Sequence, residues 1–389
     1  MMRPWASLLR FLIAVIATTL LVVAFNFLVD PLQLFGHRSL LRPAYTSDPR
    51  LQDAGLIRSQ DYDAVLMGTS LSVHFRQSDI DRTFGVHSVK LAMSGATSVE
   101  ERFVLNAALW RHPKVVIWEL DDRAFFDAAD IDSDEFIRPD LYRMNLKGIT
   151  EYLLGLDTTR ESLWVALSAI RPFAAIAHGL AAAQYLKFYG NDVDEIGTLR
   201  RDADLSQFYN ASLIRSAFAA SLKYPKAIYL RYNTPIMVQN FERDFVSVIH
   251  EHPEIKFYVF LPPYSILQFV TIREVAPEAI QAISDFSAYA FPRLLALPNV
   301  ALYDFRDVKD ITHHLDNYGD LLHFSPVVGD SILSSLAHGE HAVDRNAPLA
   351  SIARLREQVA AYDLAAMSRQ DCPGGSAGNA QSGCAAPAR

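Results

Sequence analysis

From residue 61 onward, short continuous apolar runs alternate with stretches in which apolar residues recur every three or four positions. Runs of the first kind read as strands buried on both faces and those of the second as amphipathic helices, so the alternation predicts βαβ units around a parallel sheet. The predicted strands are residues 64–67, "HSVKLAMS", "KVVIWEL", "KFYVFL" and "NVALYDF". Between the first two, a helix opens at Ser78, turns Ile80 and Phe84 inward and stops at Gly85. Ser98-Val99-Glu100-Glu101 reads as a capping box for a helix with Phe103, Ala107 and Trp110 on its inner stripe. Five parallel strands with intervening helices predict an α/β fold, a flavodoxin-like three-layer sandwich.

The alternation pauses between about 125 and 235, where helices are expected over 159–170, closed by Pro172, and over an Ala-rich stretch, 174–188. This reads as a helical insertion in a domain running over 61–345. Thr234-Pro235 then opens a helix bearing Phe241, Phe245, Val248 and Ile249. Another is expected over 277–289, and a further one is capped by Ser325 and Pro326. A terminal helix over 346–367 is expected to carry Leu349, Ile352, Leu355, Val359 and Tyr362 on one side. Residues 30–60 are expected to link the domain to what precedes it, and 368–389, rich in small and polar residues, to form a solvated tail.

Residues 11–29 carry no charge, and 19 residues at helical rise cover roughly 28 Å, about one hydrocarbon thickness. The apolar run continues to Asp30-Pro31 without a small-residue cleavage site, so it reads as a retained transmembrane anchor. The leading tail, 1–10, is assigned to the cytoplasm and the bulk of the chain to the extracytoplasmic, periplasmic side of the inner membrane, with Arg3 and Arg10 against Arg38 and Arg42 giving only a thin positive-inside bias. A net charge of −8 offers no basic footprint for nucleic acid. The two cysteines, Cys372 and Cys384, both fall in the tail, with no metal-binding spacing.

In an open parallel sheet, ligands bind beyond the carboxyl ends of the strands. Ser70, Ser94-Gly95, Asp121-Asp122, Tyr264-Ser265 and Asp320 with His323 all follow predicted strands and so share one rim. A serine hydroxyl needs a base, and the base needs a group that fixes its tautomer. Asp320 and His323, three apart, can pair on one tight turn and leave the second ring nitrogen for Ser70. The main-chain N–H groups of Ser70 and Gly95 are the natural oxyanion donors, since a residue without Cβ lets the backbone approach a substrate. Thr69, Ser94, Tyr264 and Ser265 are candidate substrate contacts, and Ser72 reads as a turn hydroxyl.

The "GTS" after the first strand, "SGAT" after the second and "DLLHF" before the last core helix resemble three of the four sequence blocks of the SGNH, or GDSL-like, hydrolase superfamily. The resemblance implies Ser70 as nucleophile, Gly95 as oxyanion donor and Asp320 with His323 as acid and base, with no cofactor. The anchor, "NFLVDPLQLFG" and "FLPPYS" further resemble membrane-attached bacterial members associated with cell-surface polymers, such as those of alginate O-acetylation and teichoic-acid D-alanylation. This implies a serine esterase or O-acyltransferase acting on acylated envelope carbohydrate, with a membrane-bound O-acyltransferase as a candidate partner. The chain departs from the family at the third block, where "WELDDRAFF" offers Asp121 and Asp122 in place of an asparagine donor.

Two other classes are weighed against this. A non-catalytic envelope protein keeping the sandwich to bind polymer, or to scaffold an acyltransferase, would account for the missing asparagine. A metal-dependent phosphohydrolase would use Asp121, Asp122, Asp127, Asp130 and Asp132, but magnesium sites take ligands converging from different elements, and a solvated acidic loop is the expectation for these residues. His313-His314 with Asp316 reads as a surface loop, because adjacent histidines point apart.

Overall fold

The computed structural model describes residues 4–36, 45–46, 48–126, 137–168, 193–195, 205–364 and 367. Five strands, β1 (Ala64–Gly68), β2 (Ser88–Ala92), β3 (Val115–Glu119), β4 (Lys256–Leu261) and β5 (Val300–Asp304), form one sheet. Every neighbouring pair is parallel and the order is β2-β1-β3-β4-β5. The fold is therefore an α/β sandwich of flavodoxin-like order. Successive side chains alternate between the two faces: Val65, Met67, Val116 and Trp118 join one core, while Leu66, Ile117 and Phe260 join the other. Both faces are covered, which is why the strands read as unbroken apolar runs rather than alternating ones.

The order reverses between β1 and its two neighbours, so the crevice at the carboxyl ends of β1 and β3 is the topological switch point where open sheets of this kind bind ligands. The chain enters it through the turn after β1 and through a short 3-10 segment, Asp122–Phe125, after β3.

Several details shift from the sequence expectation. Thr97, not Ser98, caps helix Ser98–Ala108 and shares a capping box with Glu100. The buried stripe is Val104, Leu105 and Ala108 rather than Phe103, Ala107 and Trp110, and Trp110 falls in a following 3-10 segment, Leu109–Arg111, where it is exposed. Asn233, not Thr234, caps helix Thr234–Phe241, because its carboxamide reaches the Ile236 N–H. A helix over Ile266–Val275, unforeseen, follows β4, and the next, Pro277–Leu295, runs past Tyr289 and contains Pro292. The terminal helix is Ala350–Ala361, with Ile352, Leu355 and Val359 buried but Leu349 exposed.

Residues 30–60 are no spacer, since they include helix Pro49–Ser59 and bury Leu32, Leu34, Leu56 and Ile57 in the core cluster that holds β2. Within the insertion, the described parts are helical: Pro139–Arg143, Leu146–Leu154, Leu156–Ser168 and Ala211–Ser221. The expected helix over 159–170 begins earlier, at Leu156; the Ala-rich stretch 174–188, Asp127, Asp130, Asp132 and the tail with Cys372 and Cys384 lie outside the described residues. The N-terminal helix, Pro4–Val29, is long and apolar enough to cross a membrane over Trp5–Val29.

Candidate active site

β1 ends on Gly68 because no other residue fits there. A Cβ would lie 2.6 Å from Ser72 Oγ and 2.7 Å from the Glu119 side chain. The chain then turns sharply and presents Ser70 between two inward hydroxyls. Thr69 Oγ1 donates to Glu119 Oε1 at 2.7 Å and Ser72 Oγ donates to Glu119 Oε2, so one carboxyl at the end of β3 holds both flanks of the turn. Glu119 is buried, and burial followed by the nearby Asp121 pushes its carboxyl up to about 8. A group so shifted is neutral over most of the physiological range.

Ser70 faces a loop from the far end of the sequence. Its Oγ lies 2.8 Å from His323 Nε2, and His323 Nδ1 lies 2.7 Å from Asp320 Oδ2. The other carboxylate oxygen of Asp320 accepts the N–H groups of Leu322 at 2.7 Å and His323 at 2.8 Å. Burial opposes the charge on Asp320, but the bonds from His323 and the two amides outweigh it and hold the carboxyl down at about 2. An ionised carboxylate can only accept, so Nδ1 carries the proton and Nε2 is the acceptor for the Ser70 hydroxyl. For His323, burial works against the charged form, yet the Asp320 carboxylate prevails and its pKa is raised above the ordinary 6.5.

Gly95 follows β2, the neighbour of β1, at the same edge of the sheet. It adopts φ +64° and is exposed, with nothing within 4 Å of where a Cβ would stand. Neither the Gly95 nor the Ser70 N–H donates a hydrogen bond among the described residues, so both amides at this rim are uncommitted. The turn before Gly95 is held by Arg50, whose Nη1 donates to the Ser94 carbonyl at 2.9 Å while its Nε donates to Glu100.

Sequence reasoning thus places Ser70, His323 and Asp320 where the structure joins them, and Gly95 on the same rim. It misplaces the residues around them. Thr69, Tyr264 and Ser265 are buried and their hydroxyls are spent internally, on Glu119, Asp121 and the Leu321 carbonyl, so they brace the site rather than face a ligand. Ser94 stays exposed. Asp121 and Asp122 are no solvated loop: Asp121 accepts from Tyr264 and from the Arg123 N–H, and Asp122 accepts from the buried Arg306 at 3.2 Å. Burial pushes Asp122 up to about 7 despite the guanidinium. Among the described residues no group of three or more His, Cys, Asp or Glu side chains could hold a metal ion.

Three features carry no sequence signal. Glu119 sits in an apolar strand and is indistinguishable from a strand-end residue. His74, four residues past Ser70, has an Nδ1 buried without a partner; burial, then the charges of His323 and Lys90, push it down to about 4. A cavity of about 280 Å³ opens beside Asp320 and Leu322, walled by Arg123 after β3 and by Phe126, Tyr224 and Tyr232 from the insertion. A larger cavity, about 380 Å³, lies off β5 against Asp304 and Arg354, away from these groups.

A scan against protein-family models finds no match, and a search of curated proteins finds no relative.

Proposed function

We propose that this chain is a membrane-anchored serine esterase or O-acyltransferase. The observation that carries the reading is the unbroken Asp320–His323–Ser70 chain at 2.7 and 2.8 Å, standing at the switch point of the sheet. Ser70 Oγ attacks an acyl carbonyl carbon as His323 Nε2 takes its proton. The carbonyl oxygen, now an anion, accepts from the Ser70 and Gly95 amides, each worth roughly 3 kcal/mol of barrier in sites of this kind. Collapse breaks the ester bond, His323 protonates the departing alcohol, and Ser70 keeps the acyl group. Water or a sugar hydroxyl then attacks the acyl-enzyme, His323 again removing and returning the proton.

The likeness of the "GTS", "SGAT" and "DLLHF" blocks to SGNH hydrolases supports acylated envelope carbohydrate as the substrate class. The uncharged run 11–29 within the N-terminal helix supports a single membrane pass, and the reading assigns the domain to the extracytoplasmic side. The test is labelling of the detergent-solubilised full chain by a fluorophosphonate probe. Covalent labelling is expected, and Ser70→Ala should abolish it at unchanged melting temperature. A folded chain that does not label overturns the reading in favour of a binding or scaffolding role.

A further inference from the structure

The uncharged run 11–29 covers roughly 28 Å at helical rise, so Asn26, three residues before its last, Val29, falls about 4.5 Å short of its far end. Asn26 is fully buried, and not by lipid. Its Nδ2 donates to the Leu153 carbonyl at 2.9 Å and to Thr159 Oγ1 at 2.8 Å. One turn on, Asp30 accepts from the Tyr152 hydroxyl at 2.9 Å. The junction between helices Leu146–Leu154 and Leu156–Ser168 therefore reaches the depth of the last turn of the span. At that junction four leucines stand exposed among charged side chains, with Lys147 and Glu151 on the first helix and Asp157 beside Leu156 on the second. Leu156 is 87% exposed, Leu146 82%, and Leu163 and Leu154 about half. Leu156, Arg160 and Leu163, at spacings of four and three, form one exposed stripe.

We propose that these two helices are a lipid-facing seat: the leucines enter the bilayer interface beside the anchor, and Arg160 lifts its guanidinium from between them to the lipid phosphates. The occupant is lipid because the leucines adjoin a helix whose own flanks need lipid, and because a long cationic side chain among apolar ones suits the headgroup boundary. The anchor is then no loose tether. From the seat, Arg58 Nη2 donates to the Tyr142 carbonyl at 2.6 Å, tying the neighbouring helix Pro139–Arg143 to helix Pro49–Ser59 and so to the sheet. The catalytic domain is held at one height and tilt over the membrane.

The proposal rests on the anchor of the reading above and is independent of its chemistry. Its test places single cysteines in the full chain carrying Cys372→Ser and Cys384→Ser, labels them with an environment-sensitive fluorophore, and reconstitutes the protein in phosphatidylcholine–phosphatidylglycerol nanodiscs. Val15→Cys reports the span, Leu156→Cys the seat, and Trp110→Cys, 56% exposed on the domain, the solvent. Fluorophore at 156 should shift to the blue and be quenched by lipids spin-labelled near the headgroup, at 15 by lipids labelled deep in the chain, and at 110 by neither. Emission at 156 like that at 110 overturns the seat while leaving the anchor. A blue shift at 156 without lipid quenching assigns the face to protein and also overturns it, and loss of quenching at 15 overturns both seat and anchor. Fluorophosphonate labelling of the same samples reads the active site separately.

Discussion

The electrostatics of His323 set the pH dependence of the proposed reaction. Its pKa is raised by Asp320, and only the neutral ring can accept the Ser70 proton, so hydrolysis of an activated aryl acetate should fall on acidification with a midpoint above the ordinary 6.5. Asp320→Asn should move that midpoint down and lower kcat by about 10³–10⁴-fold, since the amide both removes the charge and favours the wrong tautomer. Glu119 acts one layer below. With a folded pKa raised to about 8, it contributes stability that is complete below its ordinary 4.5 and is lost as pH rises through 8. Glu119→Gln, which keeps the acceptor and replaces the acid proton by an amide, should flatten the decline in melting temperature between those values, as a thermal scan at several pH values would read. The triad was legible because Asp320 and His323 announce each other by spacing. Glu119 was not, because its role depends on a strand pairing that puts residues 50 apart in contact.

At the scale of elements, the strands could be read almost to the residue, because a sheet covered on both faces demands apolar side chains without interruption. The helix starts slipped by one, at Thr97 and at Asn233, because two adjacent polar residues each satisfy a cap pattern and only the backbone path chooses between them. The buried status of Asp121 and Asp122 was equally hidden: their partners, Tyr264 and Arg306, lie more than 140 residues away. Gly68 is where element and site meet. Gly68→Ala would drive a methyl into Ser72 and Glu119, so the turn carrying Ser70 must shift. Loss of fluorophosphonate labelling is expected together with a lower melting temperature, whereas Gly85→Ala, at a position with open space but a left-handed backbone, should lower only the melting temperature.

Across the whole molecule, two buried polar assemblies hold distant segments in place. Arg306 donates to Asp304, the last paired residue of β5, and to Asp122 after β3, locking the two sheet ends together. Arg306→Met would strand two carboxyls and should cost about 3–5 kcal/mol, measured by denaturant unfolding. At the membrane side, Tyr152→Phe removes a donor to Asp30 and an acceptor for the Leu32 N–H, and a loss of about 1–3 kcal/mol is expected. Neither assembly could be read from sequence, because each joins an apolar-looking helix or strand to a loop far along the chain.

Asp320 and His323 share one nine-residue loop, 317–325, that fastens itself, with the Gly319 N–H bonded to the His323 carbonyl and the Ser325 N–H to that of Asn317. Alignment of imidazole with carboxylate is thus largely a local matter, fixed by bonds within the loop itself. What the rest of the polypeptide must supply is the hydroxyl and the two amides, so a small drift of the first strand's turn away from this clasp parts hydroxyl from ring nitrogen while the imidazole–carboxylate pair stays closed.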